Sequence, residues 1–338
     1  MNKINWRSLL LLFSICFFSF QCTEKKSYYE TSGFVFGTTF HILYGTTDKG
    51  EVESVVFDSL FSLINQSLSP FEDHSIISRV NRSEAVEVDS FFSCVFLKAQ
   101  EISEETEGAF DITVAPLVNA WGFGFKHSDT LSSTLIDSLK ELVGYEKVAL
   151  VENKVVKQNR NLMLDASAIA KGYSCDVVAN YFEKQGIDDF MIEVGGEVVT
   201  RGVNSRGEEW VIGITQPREE NSISTPTLQD CICLGNGAMA TSGNYRQFYY
   251  KDGKRYSHTI NPKTGYPVEH RLLSATVLAD DCMTADALAT AFMVKGLDWS
   301  YSYVEGRPNL AAYFIYSDEK DSLKVKYTTS FEKYLIKK

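Results

Sequence analysis

Apolar side chains recur with helical spacing in three stretches of this chain, at residues 51–67, 92–102 and 165–185. Positions three and four apart share one face of a helix, so each stretch predicts an amphipathic helix with one buried side. A fourth helix is predicted to start at a Thr284 cap and to run to Val294. A threonine hydroxyl suits that position because it can accept a hydrogen bond from the free backbone N–H groups of the first turn.

Strand-like runs alternate irregularly with these helices. They lie at residues 34–44, which include an early glycine, and at 189–194, 210–215 and 309–316. This irregular order predicts the α+β class, with twisted, largely antiparallel sheets flanked by helices. No GxGxxG motif follows a strand and no GxxxxGK[ST] motif occurs, which argues against a Rossmann nucleotide site and against a P-loop.

The composition narrows the class of partner. The chain has 338 residues, of which 44% are hydrophobic and 23% are charged, with a formal net charge of −11. That length and hydrophobic content allow one large core. The acidic balance argues against nucleic acid as a partner, because like charges repel. An acidic protein can still bind an anionic ligand when a divalent metal lies between them.

The N-terminus has the pattern of a secreted protein. A 13-residue apolar run at 8–20 follows two basic residues and precedes Cys22, which is typical of a signal peptide. We expect residues 1–21 to be a signal peptide, Cys22 to be lipidated, and residues 22–32 to form a lipid-bearing tether to a body at 33–338. An ordinary cleaved signal and an uncleaved anchor remain open as alternatives.

The string TADALATA carries the first candidate chemistry. On a helix, Asp286 and Thr290 lie one turn apart and face the same way, and the residues between them are small. Oxygen ligands of this kind suit Mg²⁺ or Ca²⁺ and not zinc. The alternative is an alanine-rich packing helix whose aspartate lies near the positive N-terminal end for electrostatic reasons.

Three further stretches could contribute to a ligand site. Asp165 and Lys171 flank a predicted helix start, which is a common anion site. His258 directly precedes a Pro-Lys-Thr-Gly turn, and residues 108–124 combine small residues with aromatic rings. Phe71 lies on a predicted loop. Each stretch has a structural alternative. Asp165 and Lys171 could be a helix cap and a surface lysine, and His258 could be a turn histidine. The rings of 108–124 could simply pack in the core.

Taken in order, these strings resemble the ApbE family of flavin transferases. The resemblance runs from about residue 33 to the end of the chain. It rests on the motifs FGTTF, SPF, ISRVN, GAFDIT, WGFG, LDASAIAKGY, VGGEV, ATSGNYR, HTINPKTGYP and ADALATA. It implies the fold of that family and the transfer of FMN from FAD to proteins.

The resemblance also implies roles for individual residues. Mg²⁺ would be held by Asp286 and Thr290 with the backbone carbonyls of Ala168 and Ala289, and His258 would be catalytic, with Asp286 as the second candidate for the base. FAD would be contacted by Phe36, Phe71, Ala109, Phe110, Asp111, Asp165, Lys171 and Ile260. Three positions depart from the common pattern: Phe36 replaces a methionine, Phe71 replaces a tyrosine, and Asn261 replaces an aspartate that could have oriented His258 or a second metal.

The function implied by the resemblance is Mg²⁺-dependent transfer of FMN to a threonine or serine hydroxyl, with release of AMP. The acceptors would carry an Asp-x-x-Ser/Thr-Gly-Ala-Ser/Thr motif and would be membrane respiratory subunits, of the Na⁺-translocating quinone reductase (Nqr) or Rnf type. The chain would be lipid-anchored in the bacterial cell envelope and would face the periplasm. Two alternatives remain open, a Mg²⁺-dependent FAD pyrophosphatase that yields FMN and AMP, and a non-catalytic flavin-binding lipoprotein.

Overall fold

A computed structural model describes residues 26–47, 50–125, 131–217, 227–244, 248–251 and 254–336. The predicted signal peptide and Cys22 lie outside the described residues. Within these ranges, no helix combines the length and the hydrophobicity that a membrane crossing requires.

Fourteen strands are found in the described chain. They are β1 (Ser27–Val35), β2 (Thr38–Thr46), β3 (Val148–Val151), β4 (Lys154–Lys157), β5 (Asp189–Val194), β6 (Glu197–Arg201), β7 (Trp210–Thr215), β8 (Leu228–Leu234), β9 (Gly237–Gly243), β10 (Phe248–Lys251), β11 (Lys254–Ser257), β12 (Leu272–Ala279), β13 (Ala311–Ser317) and β14 (Leu323–Tyr327). Eight of them form one sheet in the order β1-β2-β5-β6-β9-β12-β13-β14. Every neighbouring pair in this sheet is antiparallel.

The helices of the described chain are α1 (Ser54–Leu68), α2 (Ile76–Asn81), α3 (Ser90–Glu105), α4 (Ala115–Ala120), α5 (Ser133–Lys140), α6 (Ala170–Lys184), α7 (Cys282–Lys295) and α8 (Leu297–Val304). Helices α6 and α7 cover one face of the large sheet through shared buried apolar residues. The β7–β8 hairpin and a 3₁₀ helix at Thr329–Tyr334 cover the other face. These layers confirm the predicted α+β class with antiparallel sheets.

The predicted strand at 34–44 is wrong in one respect, because the chain reverses inside it. Val35 pairs with Thr38, so Phe36 and Gly37 alone form the turn, and both have positive φ, +51° and +75°. A two-residue hairpin turn of this kind matches the twist of its strands but needs positive φ at both central positions. Phenylalanine adopts that conformation at a cost, which draws attention to this turn as a functional position.

The large sheet includes residues before position 33, the predicted boundary between tether and body. Strand β1 starts at Ser27 and pairs along its whole length with β2. The preceding Lys26 forms an ion pair with Asp189, with 2.6 Å between Nζ and Oδ2. Residues 27–32 therefore belong to the sheet and not to the tether predicted over 22–32.

Two helix starts differ from the predictions. Helix α6 begins at Ala170 and not at Asp165, because the Asp165 side chain accepts hydrogen bonds from Ser167 and holds this segment in a turn. Helix α7 begins at Cys282, capped by Asp281, whose carboxylate accepts the backbone N–H of Thr284. Thr284 therefore lies inside the first turn.

Candidate active site

Helices α6 and α7 approach each other closely at Gly172. A Cβ atom on this glycine would lie 2.3 Å from the backbone oxygen of Cys282 and 2.8 Å from Cβ of Asp286. The Gly172 N–H donates to Asp286 Oδ2 at 3.0 Å. Asp286 is only 4% exposed, so this hydrogen bond fixes its carboxylate where the two helices meet.

The Lys171 ammonium lies between two buried carboxylates. Its Nζ is 3.3 Å from Glu197 Oε1 and 3.7 Å from Asp286 Oδ2. Glu197 is 2% exposed, and the Lys171 side chain is partly exposed. Two carboxylates and one ammonium leave this cluster of three residues with one negative charge when all are ionised. A negative surplus among these three residues favours the binding of a cation beside them, since opposite charges attract strongly where water is largely excluded.

A tight turn brings the β1–β2 hairpin to this cluster. Gly195, between β5 and β6, has φ +66°, and a Cβ atom there would lie 2.8 Å from Thr38 and 3.2 Å from Cδ of Lys171. The Gly195 N–H donates to the Thr39 carbonyl at 3.0 Å. The Phe36 turn, which directly precedes Thr38, is therefore held beside the Gly195 turn that the Lys171 side chain also meets, although the three stretches are far apart in the sequence.

The oxygen donors of this region fit a magnesium ion. Asp286 and the half-buried Thr290 lie one turn apart on α7. Ala168 lies in the loop before α6 and Ala289 on α7, and an alanine can offer only its backbone oxygen because its side chain is a methyl group. In the part of the chain that the structure describes, no three His, Cys, Asp or Glu side chains form a metal-binding group. Mg²⁺ does not need such a group, because it is bound by one or two carboxylates together with water and substrate phosphates.

Asp165 and Asp111 organise the loops beside the cluster. Asp165 Oδ1 accepts from the Ser167 N–H and hydroxyl, and its own N–H donates to the Ile112 carbonyl at 2.7 Å. Asp111 accepts from Thr113 through Oδ1 and from the Tyr145 N–H through Oδ2. Burial raises the pKa of Asp165, and burial raises the pKa of Asp111 to about 6. Their assignment to FAD binding stays a prediction.

Three other predicted FAD contacts have buried side chains. Ala109 and Phe110 are 4% and 2% exposed and belong to the large core, and Ile260 is 5% exposed and packs in a smaller cluster with Trp121. These side chains stabilise the walls of the site. Contact between any of these residues and FAD stays a prediction.

Aromatic contacts join the segment 121–125 to the loops that carry Phe71 and His258. The ring of Phe71 is 67% exposed and meets Phe125 edge to face, with 6.1 Å between ring centroids. His258 is half-buried and meets Phe123 in the same manner at 6.3 Å. The Trp121 indole N–H donates to the Gly265 carbonyl at 2.8 Å, which fixes the loop after His258. The exposed ring of Phe71 can stack on a planar ligand.

The residue that the sequence patterns did not single out is Glu197. It follows Gly195 and Gly196 in VGGEV, at the start of β6. A glutamate at the start of a strand has no distinctive local pattern. Only its burial and its contact with Lys171 reveal it. The nearest sequence signal is the pair of glycines before it, which indicates a close approach of the backbone.

Comparison with known proteins places the chain among flavin transferases. Residues 36–314 match the family model described as the ApbE family. The chain is 36% identical over 325 residues to the FAD:protein FMN transferase of Vibrio cholerae, covering 94% of this chain and 95% of the relative. It is 35% identical over 313 residues to the protein of that name from Haemophilus influenzae, covering 87% and 88%. A solved structure of the flavin transferase ApbE from Vibrio cholerae superimposes with a TM-score of 0.82 at 35% identity, covering 92% of this chain and 100% of that one.

Proposed function

This chain belongs to the ApbE family, and we propose that it transfers the FMN portion of FAD to a threonine or serine hydroxyl of acceptor proteins, with release of AMP. The observation that carries the proposal is the buried group of Lys171, Glu197 and Asp286. Two close-approach glycines, Gly172 and Gly195, adjoin this group, and the chain also presents the exposed ring of Phe71 on a loop. Positive charge and hard oxygen donors suit a pyrophosphate, and a planar ring suits a flavin or an adenine.

The proposed metal is Mg²⁺, held by Asp286 and Thr290 with the backbone carbonyls of Ala168 and Ala289. When bound, Mg²⁺ would neutralise the charge of the pyrophosphate and orient it for in-line displacement at phosphorus. The Lys171 ammonium adds a second positive charge beside the same phosphates. The burial of Asp286 and its hydrogen bond from Gly172 hold the carboxylate in place before the ligand arrives, so little reorganisation is needed.

The proposed general base is His258. In the transfer, a bond forms between the acceptor oxygen and the phosphorus of the FMN half, and the bond from that phosphorus to the bridging oxygen breaks. The acceptor proton passes to a ring nitrogen of His258, and AMP leaves with the bridging oxygen. General-base assistance of this kind contributes about 10²–10⁴ in rate. The contact with Phe123 restricts the ring of His258, while its half-buried position keeps it accessible.

The proposed acceptors rest on the resemblance to the ApbE family, and the proposed location rests on the N-terminal sequence pattern. We propose acceptors with an Asp-x-x-Ser/Thr-Gly-Ala-Ser/Thr motif in membrane respiratory subunits of the Nqr or Rnf type. We also propose a lipid anchor at Cys22 that holds the enzyme at a membrane of the bacterial envelope, facing the periplasm.

The test is a labelling reaction with FAD, Mg²⁺ and a protein that carries the acceptor motif. Transfer predicts a flavin-fluorescent acceptor band that survives a denaturing gel, with one AMP released per label. FMN and AMP without a labelled acceptor would indicate hydrolysis instead, and bound but intact FAD would indicate a storage protein. An acceptor in which the motif hydroxyl is replaced by alanine serves as the control and should stay unlabelled.

A further inference from the structure

Glu197 contacts α6 in a way that fixes the position of the Lys171 ammonium. Its carboxylate is closer to the ammonium than that of Asp286, at 3.3 Å against 3.7 Å. Its backbone carbonyl accepts from the Cys175 thiol at 3.4 Å, and Cys175 lies one helical turn after Lys171. Two successive turns of α6 are therefore attached to the same residue of β6.

The path of the Lys171 side chain is also confined. Its Cδ atom passes the Gly195 turn so closely that a Cβ atom there would lie 3.2 Å away. On the same turn, the Gly196 N–H donates to Glu193 Oε1 at 2.6 Å, which fixes the backbone that leads into Glu197. The Gly195 turn therefore restricts the Lys171 side chain to a path that ends beside the carboxylates of Glu197 and Asp286.

The contacts on Asp286 show why a second carboxylate matters. Within the described residues, the Gly172 N–H and the Lys171 ammonium both approach Oδ2 of Asp286, which leaves Oδ1 available to a ligand. A full ion pair with Lys171 would neutralise Asp286 and would compete with a divalent cation for its oxygens. Glu197 shares the ammonium and so preserves the negative charge at Asp286.

We propose that Glu197 is a positioning residue, which holds the Lys171 ammonium beside the phosphate site and thereby keeps Asp286 available to a divalent cation. This inference rests on the proposed function for the metal and for the phosphates. Glu197 is thereby an additional residue of the site, and its negative charge has a role in metal binding. The two carboxylates have different roles. Asp286 is a metal ligand, and Glu197 balances the charge of the Lys171 ammonium and orients it.

The test is Mn²⁺ binding to the protein without FAD or acceptor, followed by electron paramagnetic resonance of the free ion. Glu197→Gln preserves size and polarity but removes one negative charge, so Lys171 moves towards Asp286. We expect Mn²⁺ affinity to fall by about 10- to 100-fold, the range for residues that support metal ligands. Glu183→Gln is the matched control, since Glu183 also pairs with a cation, Arg201, at the far end of α6. It should leave Mn²⁺ affinity unchanged.

A double-mutant cycle separates positioning from a merely structural role. If Glu197 acts through Lys171, then Glu197→Gln should change Mn²⁺ affinity by less than about twofold in a Lys171→Gln background. An equal loss in both backgrounds would overturn the inference, because Glu197 would then act on the metal directly. A lower melting temperature with unchanged Mn²⁺ affinity would overturn it as well.

The labelling reaction gives a second, independent readout. Glu197→Gln should raise the Mg²⁺ concentration needed for half-maximal labelling by the same factor as it lowers Mn²⁺ affinity. The rate at saturating Mg²⁺ should stay within about threefold of the wild type, which is less than the effect expected for a group that takes part in proton transfer. A wild-type protein that binds no Mn²⁺ would overturn this inference together with the metal assignment. Normal Mn²⁺ binding without acceptor labelling would overturn only the proposed transfer.

Discussion

The backbone N–H of Gly172 donates to the carboxylate of Asp286 at 3.0 Å where helices α6 and α7 cross. This contact joins residues 114 positions apart and places the predicted metal ligand next to the predicted phosphate-binding lysine. It exists because residue 172 lacks a side chain. Any larger residue would meet the Cys282 carbonyl and would push the two helices apart.

Gly172→Ala should therefore destabilise the protein. Alanine usually stabilises a helix interior by up to about 1 kcal/mol relative to glycine, but a Cβ atom at 2.3 Å from the Cys282 oxygen forces a backbone shift, and overpacking costs about 1–3 kcal/mol. Urea unfolding measures the balance. Gly186→Ala, beyond the end of α6, meets nothing within 4 Å but has a φ of +66°, so it reports the cost of left-handed backbone strain without a steric clash, about 1–2 kcal/mol. Unchanged stability of the Gly172 variant would contradict the crossing geometry.

Asp286→Asn should abolish Mg²⁺-dependent labelling while the fold persists. The amide oxygen can still accept from Gly172, but the negative charge is lost, and metal-based charge stabilisation is worth several kcal/mol. We expect a fall of roughly 100-fold or more in rate, measured by acceptor fluorescence. Asp298→Asn, an exposed aspartate on α8, provides the control. Labelling at the wild-type rate by the Asp286→Asn variant would remove Asp286 from the site.

Lys171→Ala should raise the FAD concentration needed for half-maximal labelling. The side chain supplies positive charge to the pyrophosphate, and a charge-assisted hydrogen bond contributes about 1.5–3 kcal/mol, which corresponds to roughly 10- to 100-fold in affinity. Initial rates across an FAD titration measure this. Lys184→Ala, at the other end of α6, should have no effect, and an equal response of both variants would refute the assignment.

Phe71→Ala should weaken FAD binding without loss of stability. The ring is 67% exposed, so its removal sacrifices little packing, whereas stacking of a base on an aromatic ring contributes about 1–3 kcal/mol. FAD fluorescence quenching measures the affinity, and thermal unfolding measures the stability. Phe71→Tyr should retain binding. Leu97→Ala, at a residue that is 60% exposed on α3, controls for removal of an exposed apolar group.

Asp111 should make the protein less stable as pH rises from about 4 to about 6. Burial raises its pKa from 3.8 to about 6, so in that window the folded protein retains a proton that the unfolded chain has released. Because the folded state then binds more protons, the free energy of unfolding falls as pH increases, and the change ends above pH 6.

Asp111→Asn tests this pH dependence. The variant should flatten the slope, although its amide faces the Tyr145 N–H and lowers stability overall by about 1–3 kcal/mol. Urea unfolding at several pH values measures both effects. An identical slope in both proteins would assign the pH dependence to other groups.

For the eight segments that they predicted, the helical and strand periods gave most bounds within a few residues. The predicted helices at 51–67 and 92–102 correspond to α1 and α3, and β5 and β7 have the predicted bounds. The predicted bounds were wrong where a turn or a side-chain hydrogen bond interrupted a run of apolar residues with strand or helical spacing. The turn at Phe36 and Gly37 interrupts an apolar run, and Asp165 delays the start of α6 by binding Ser167.

The sequence by itself determined the fold class and the family, because periodicity and short motifs are local properties of the chain, and it supplied the candidate residues of the site. Tertiary structure alone decided that Glu197 faces Lys171, and that the carboxylates of Asp111 and Asp165 bind backbone and hydroxyl groups of their own loops. Those relationships depend on distances between elements far apart in sequence, which arise only when glycines such as Gly172 and Gly195 let the backbones approach. The charge balance of the site therefore exists only in the folded protein.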